Sequence, residues 1–185
     1  MPDRVAQAFL DVPSAGFLPP GQQRYAERDA PLPIGYGATN SQPTTVRTML
    51  GLLDARPGDQ VLDVGAGSGW TTALLARLVA PDGSVVAVEL VPELAAACRD
   101  RLAAEARIEV HHASRGVLGW PEGAPYDRIL VSADAPSLPE DLVDQLAPGG
   151  VMVVPVAGEM LRITRTDEGR AVEAHGRYMF VPLIR

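Results

Sequence analysis

The 185-residue sequence is poor in groups on which several common chemistries depend. It holds one cysteine, Cys98, which rules out a disulfide framework and a thiolate metal cluster. It holds no lysine, since all 16 basic residues are arginine. Schiff-base lysine chemistry and a P-loop lysine are thereby excluded, and the usage suggests GC-rich coding bias. Three histidines (His111, His112, His175) are a thin supply for a triad or a three-His zinc site. No apolar run reaches the roughly 18 residues of a membrane span. The opening Met1-Pro2-Asp3-Arg4 lacks the basic and apolar regions of a secretory signal. Positive charge is also in deficit, with a formal net charge of −7, which argues against binding nucleic acid through its phosphates. We therefore expect a cytoplasmic protein that works without nucleic acid, membrane or metal, with a monomer favoured.

The composition that remains, 46% hydrophobic and 21% charged, suits a soluble globular chain long enough for a full core. Residues 1–43 are crowded with proline and glycine and offer one short helical pattern, Val5 to Leu10. We read them as an irregular arm covering a domain that occupies residues 44–185. From residue 44 apolar residues alternate between helical and strand spacing. The spacing predicts helices over 44–53, 71–79, 92–106 and 139–146. Strands are predicted over 60–64, 84–89, 108–112, 126–132 and 151–156. The last two apolar stretches, 160–166 and 178–184, read as an antiparallel hairpin on the sheet edge. Alternating strands and helices mean right-handed crossovers, hence a doubly wound α/β fold with a mostly parallel sheet. Ligands of such sheets bind beyond the carboxyl ends of the strands.

Two features lie at those ends. The first strand runs into Asp63-Val64-Gly65-Ala66-Gly67-Ser68-Gly69-Trp70, where glycines at alternate positions allow a sharp turn and a close backbone approach. The following helix aims its free N–H groups at the same loop. With no basic residue in it, the loop suits an amino-acid or nucleoside ligand better than a pyrophosphate. The second strand ends at Glu89, 20 residues after Gly69, where an acid can accept both ribose hydroxyl hydrogens. Several other residues have plain structural readings. Trp70 and Cys98 read as packing, Asp134 as a turn cap, and Ser41 as a helix N-cap ahead of Pro43, a role compatible with a catalytic one.

The run 63–70 with Glu89 resembles the class I S-adenosylmethionine-dependent methyltransferases. The segment Pro33-Ile34-Gly35-Tyr36-Gly37-Ala38-Thr39-Asn40-Ser41-Gln42-Pro43 narrows the resemblance to the protein-L-isoaspartate O-methyltransferases. Gly119-Trp120-Pro121, Ala124-Pro125-Tyr126-Asp127-Arg128-Ile129, Gln145-Leu146-Ala147-Pro148-Gly149-Gly150 and Tyr178-Met179-Phe180-Val181-Pro182-Leu183 are similar to that family's later motifs. The resemblance implies a Rossmann-like, seven-stranded-type sheet. It implies methyl transfer from S-adenosyl-L-methionine, leaving S-adenosyl-L-homocysteine, to the free carboxylate of isoaspartyl residues in damaged proteins or peptides. The ester then cyclises to a succinimide, which begins repair. It also implies that Ser41 is catalytic and that Thr39, Asn40 and Ser41 wall the substrate pocket. Gly65, Ala66, Gly67, Gly69, Trp70, Glu89, Leu90, Arg115 and Gly116 are then expected around the cofactor. The chain departs from the family pattern in three places. Ser114-Arg115-Gly116 stands where Gly-Asp-Gly is usual, Asn40 where an apolar residue is common, and Ser14 where an Arg often follows Val-Pro. These departures keep two alternatives open. One is a carboxyl methyltransferase tailoring a particular peptide. The other is a degenerate binding protein of the same fold, with Arg115 either stacked on the adenine face or turned to solvent.

Overall fold

A computed structural model describes residues 3–184. The first third holds α1 (Arg4–Asp11), β1 (Leu32–Gly35), β2 (Ala38–Asn40) and α2 (Pro43–Leu53), with single 3-10 turns at Ser14–Phe17 and Gln23–Tyr25. Then come β3 (Gln60–Val64), α3 (Trp70–Val79), β4 (Ser84–Glu89), α4 (Pro92–Leu102) and β5 (Ile108–His112). The chain continues with β6 (Tyr126–Val131), the one-turn α5 (Glu140–Val143), β7 (Leu146–Val156), β8 (Glu159–Thr166) and β9 (Gly169–Arg177).

Strands β3 to β9 form one sheet in the order β5-β4-β3-β6-β7-β8-β9. Its first five strands are parallel, in registers such as Val61↔Val85 and Val61↔Arg128. The pairs β7–β8 and β8–β9 are antiparallel. Apolar residues on both faces of the parallel strands explain why both are covered. Val61, Val85, Leu130 and Val153 pack under α2 and α3 with Met49, Leu50, Leu74 and Leu75. Their strand neighbours Leu62, Val86, Ile129 and Met152 face the other way, against Leu142, Leu146 and Tyr126. This is the two-residue period of a strand made into two cores.

The structure corrects several predicted boundaries. Helix α4 stops at Leu102 rather than 106, because 103–107 must turn the chain into β5, with Glu105 N–H on Leu102 O and Ile108 N–H on Glu105 O. The helix predicted to reach 146 is only Glu140–Val143. There Gln145 O accepts from Tyr126 N–H at 2.8 Å and Leu146 pairs with Tyr126, so sheet pairing overrides the helical period. The hairpin partner of β8 is the polar stretch Gly169–Arg177, not the apolar 178–184. Main-chain pairing holds that exposed edge strand, joined by Arg162 on Glu173 at 3.1 Å and Arg170 on Glu140 at 2.6 Å. The apolar tail instead returns across the sheet, where Asp134 N–H donates to Val181 O and Leu183 N–H to Asp134 O, both at 2.8 Å.

The first 43 residues also contain more regular structure than one helix. Helix α1 packs on α3, with Phe9 edge-on to Trp70 at 5.4 Å. Strands β1 and β2 form an antiparallel hairpin turned by Gly35-Tyr36-Gly37, all three at positive φ. Alternate glycines make such a turn possible.

Candidate functional site

A cavity of about 260 Å3 opens at the carboxyl ends of β3, β4, β5 and β6. Its floor is the glycine loop, Gly65 to Ser68, and the strand end Glu89-Leu90. One wall is the hairpin and its exit, Tyr36 to Ser41. The rest is Ala113, Ser114 and Val117 to Gly119 after β5, Ser132 and Ala133 after β6, and the tail residues Val181 to Ile184. Of the expected site residues, Thr39, Asn40, Ser41, Gly65, Ala66, Gly67, Glu89 and Leu90 meet here.

The glycine loop owes its shape to positive φ. At Gly67 (φ +53°) an added Cβ would come within 3.2 Å of Ile34 Cδ1, so the loop and the β1 side chain already touch. Glu89 reaches back under it. Its Oε2 accepts from Gly67 N–H at 2.7 Å and its Oε1 from Val91 N–H at 2.9 Å. Each carboxylate oxygen has lone pairs left for a ligand. Glu89 is the one charged side chain in the cavity lining among the described residues.

Beneath the loop, Asp63 is fully buried. Thr72 Oγ1 donates to its Oδ2 at 2.6 Å, while its Oδ1 has no partner. Burial first, and the nearby Glu89 charge second, push its carboxyl up to about 7 against the opposing Thr72 bond. Cys98 is also buried, and desolvation raises its thiol to about 12, so it packs rather than reacts.

Four expected cofactor residues lie elsewhere. Gly69 (φ +87°) is required by packing, since a Cβ there would sit 2.8 Å from Cys98 Sγ and 3.0 Å from Leu102 Cδ1. Trp70 is buried in the α1–α3 core, with Nε1 donating to Val12 O at 3.0 Å. Arg115 and Gly116 are exposed on the loop after β5 and do not line the cavity. Arg115 is on the solvent side, and Ser114 and Val117 take the lining positions on either side of it.

Ser41 is not the N-cap of α2. That position is Gln42, whose side chain makes no capping bond. The cap comes from Asp29, which accepts from Thr44 N–H at 2.9 Å, Thr44 Oγ1 at 2.7 Å and Gln42 Nε2 at 2.9 Å. Those bonds, the Gln42 one first, hold the Asp29 carboxyl below its ordinary range. They also pin the chain on either side of Pro43, and with it the half-buried Ser41. Asp134 does hold a turn, accepting from Gly158 N–H at 3.0 Å.

Sequence reasoning missed Gln145. Its buried amide donates to Leu118 O and Asp141 O, both at 2.8 Å, and accepts from Trp120 N–H at 2.9 Å. It thereby fixes the cavity loop 118–120 from beneath. A Cβ on Gly119 (φ +77°) would come within 2.5 Å of Gln145 Oε1. A lone amide between two apolar runs was the available signal. Among the described residues no group of three His, Cys, Asp or Glu could hold a metal ion, and no helix is long and apolar enough to cross a membrane.

The family model for protein-L-isoaspartate(D-aspartate) O-methyltransferase matches residues 1–185. The protein-L-isoaspartate O-methyltransferase of Methanopyrus kandleri is 47% identical, over 98% of this chain and 84% of its own. That of Anaeromyxobacter dehalogenans is 50% identical, over 97% and 88%. A solved protein-L-isoaspartate O-methyltransferase superposes with a TM-score of 0.88 at 26% identity, over 98% of this chain and 61% of that one. A Plasmodium falciparum structure assigned to the same activity, in complex with S-adenosyl-L-homocysteine, gives 0.86 at 25%, over 98% and 90%.

Proposed function

The chain belongs to the protein-L-isoaspartate(D-aspartate) O-methyltransferase family, and on that premise we propose that the cavity over β3 and β4 carries its reaction. The enzyme transfers a methyl group from S-adenosylmethionine to the free carboxylate of isoaspartyl residues in proteins or peptides. The residues present fit the cofactor. Glu89 offers free lone pairs beside a backbone loop with almost no side chains, and Leu90, Val91, Ala113, Val117 and Leu118 give an apolar stretch of lining. Bound there, S-adenosylmethionine supplies a methyl group activated by a sulfonium. Glu89 would hold the ribose hydroxyls, Gly65, Ala66 and Gly67 would let the backbone close on the methionine part, and Leu90 would line the base.

The observation that carries this reading is the charge inventory. Among the described residues no cation lines the cavity, so a substrate carboxylate there meets neutral donors and the sulfonium itself. A carboxylate is ionised at pH 7 and needs no general base. Its lone pair forms the new C–O bond as the S–C bond breaks and that bond's electron pair passes to sulfur. What the protein must do is align oxygen and methyl carbon and exclude water. Ser41 Oγ has no partner among the described residues, so it is free to donate to a carboxylate oxygen and fix its direction. Thr39 and Asn40 complete that wall. The 47% and 50% identity to relatives named as this enzyme supports the methyltransferase reading over a degenerate binding protein.

Residues 1–43 act as the cover of the catalytic domain 44–185, and the enzyme works as a cytoplasmic monomer, without nucleic acid or membrane, in general repair rather than on one peptide. The test is incubation with labelled methyl donor and a panel of unrelated isoaspartyl peptides, with their aspartyl counterparts as controls. Base-labile ester across the isoaspartyl panel is expected. Ester on one peptide alone points to tailoring, and none at all overturns the reading.

A further inference from the structure

The hairpin wall carries a polar group to which the reaction as described gives no task. Asn40 ends β2, is 7% exposed and lines the cavity. Its Oδ1 accepts from Ser68 Oγ at 2.7 Å. Ser68 Oγ also accepts from Trp70 N–H at 3.4 Å, so its own proton is committed to Asn40. The amide is thus oriented with its carbonyl on Ser68 and its NH2 away from it. Nδ2 has no partner among the described residues. It is also absent from the sealed polar atoms that lack one, which are Asp63 Oδ1 and His175 Nε2. Its open side is therefore the cavity. Two N–H donors facing a pocket that no cation lines among the described residues call for an oxygen acceptor on the ligand.

We propose that the Asn40 amide is a second hydrogen-bond donor to the substrate carboxylate, beside Ser41, and that Ser68 is the positioning residue that aims it. The inference rests on the isoaspartyl reading above and adds a specificity-determining contact to it. Ser41 and Asn40 together restrain the carboxylate while one oxygen meets the methyl group. Because Ser68 sits in the glycine loop, the element that shapes the cofactor site also sets a donor of the substrate site.

The test compares the parent with three variants of the full chain, in turnover of an isoaspartyl peptide and in calorimetric binding of S-adenosyl-L-homocysteine. Asn40→Leu removes the amide and should raise KM about ten-fold, the loss of one bond to a charged group. Asn40→Asp keeps the acceptor for Ser68 but sets a carboxylate against the substrate's. It should raise KM more at pH 7.5 and recover in part toward pH 5.5, which loss of shape alone would not do. Ser68→Ala should raise KM a few-fold. All three should bind S-adenosyl-L-homocysteine within about two-fold of the parent. An unchanged KM in Asn40→Leu overturns the inference, and so does loss of S-adenosyl-L-homocysteine binding in step with KM, which would put the bond's role in the loop itself. If Asn40→Asp fails to fold, the other two variants decide. A parent that forms no ester overturns the isoaspartyl reading and this inference with it. A working parent with unchanged variants overturns the inference alone.

Discussion

The sheet wall of the cavity is held by main-chain geometry, and the hairpin wall by side chains reaching across long stretches of sequence. On the sheet side, parallel pairing places Val64 beside Val88 and Val131, and against that main-chain frame Glu89 is tied to two backbone N–H groups, those of Val91 and of Gly67, the latter 22 residues back. On the other side, Asp29 caps a helix 15 residues later, and Ser68 holds Asn40 across 28 residues. A main-chain scaffold tolerates side-chain change, whereas each long-range side-chain bond is a single point of failure. The two walls should therefore fail differently, the first through cofactor affinity or stability and the second through turnover.

The largest expected effect is on the sheet side. Glu89→Ala should weaken S-adenosyl-L-homocysteine binding by roughly 1.5 to 3 kcal/mol, for lost charge-assisted bonds. Calorimetry reads this directly, and an unchanged dissociation constant would remove the ribose assignment. Next, Gly119→Ala should lower stability by about 2 kcal/mol, since the new methyl meets Gln145 at 2.5 Å and the backbone is left-handed there. Denaturant unfolding measures it, and a midpoint equal to the parent's would mean that Gln145 does not hold the loop. On the hairpin side, Ser41→Ala should cost about 1.5 kcal/mol in kcat/KM, roughly ten-fold, with cofactor affinity kept. Equal losses in both would erase the distinction between the walls.

The same difference explains what the sequence made legible. Strands β3, β4 and β5 were read to the residue, because a buried parallel strand needs a short apolar run and punctuation on either side. The glycine loop and Glu89 fall at the cavity for the same reason, since position at strand ends follows from the strands. The hairpin 32–40 was not foreseen, because its turn depends on three consecutive positive φ values and its strands are short and mixed in polarity. The cap by Asp29 and the grip of Gln145 were equally invisible, being contacts between residues remote in sequence. Apolarity misled at 178–184, where the tail serves the cavity rather than the sheet. Gly69 and Trp70 follow the loop in sequence but pack against the cores behind it.

The smallest expected effect concerns strain within the better-scaffolded wall. Asp63 lies under the glycine loop near Glu89, one carboxylate oxygen without a partner, and burial raises its carboxyl to about 7. In the unfolded chain it titrates near 3.9. The folded state thus binds the proton more tightly, so this group's contribution is fully present below about pH 4 and is lost as pH rises through 7. Between pH 6 and pH 8 the loss is about 1 kcal/mol. Asp63→Asn removes the titration while keeping an acceptor for Thr72. It also leaves buried N–H groups, so its absolute stability is a poor guide and its slope is the informative quantity. Thermal melts of both proteins from pH 5 to 8 should show the gap moving in the variant's favour as pH rises. Parallel curves would mean that Asp63 stays ionised in the folded protein. Two carboxylates would then share the end of the sheet, and the loop above them would be held against that repulsion by its N–H bonds from Gly65 and Ala66 to Val88 O and from Gly67 to Glu89.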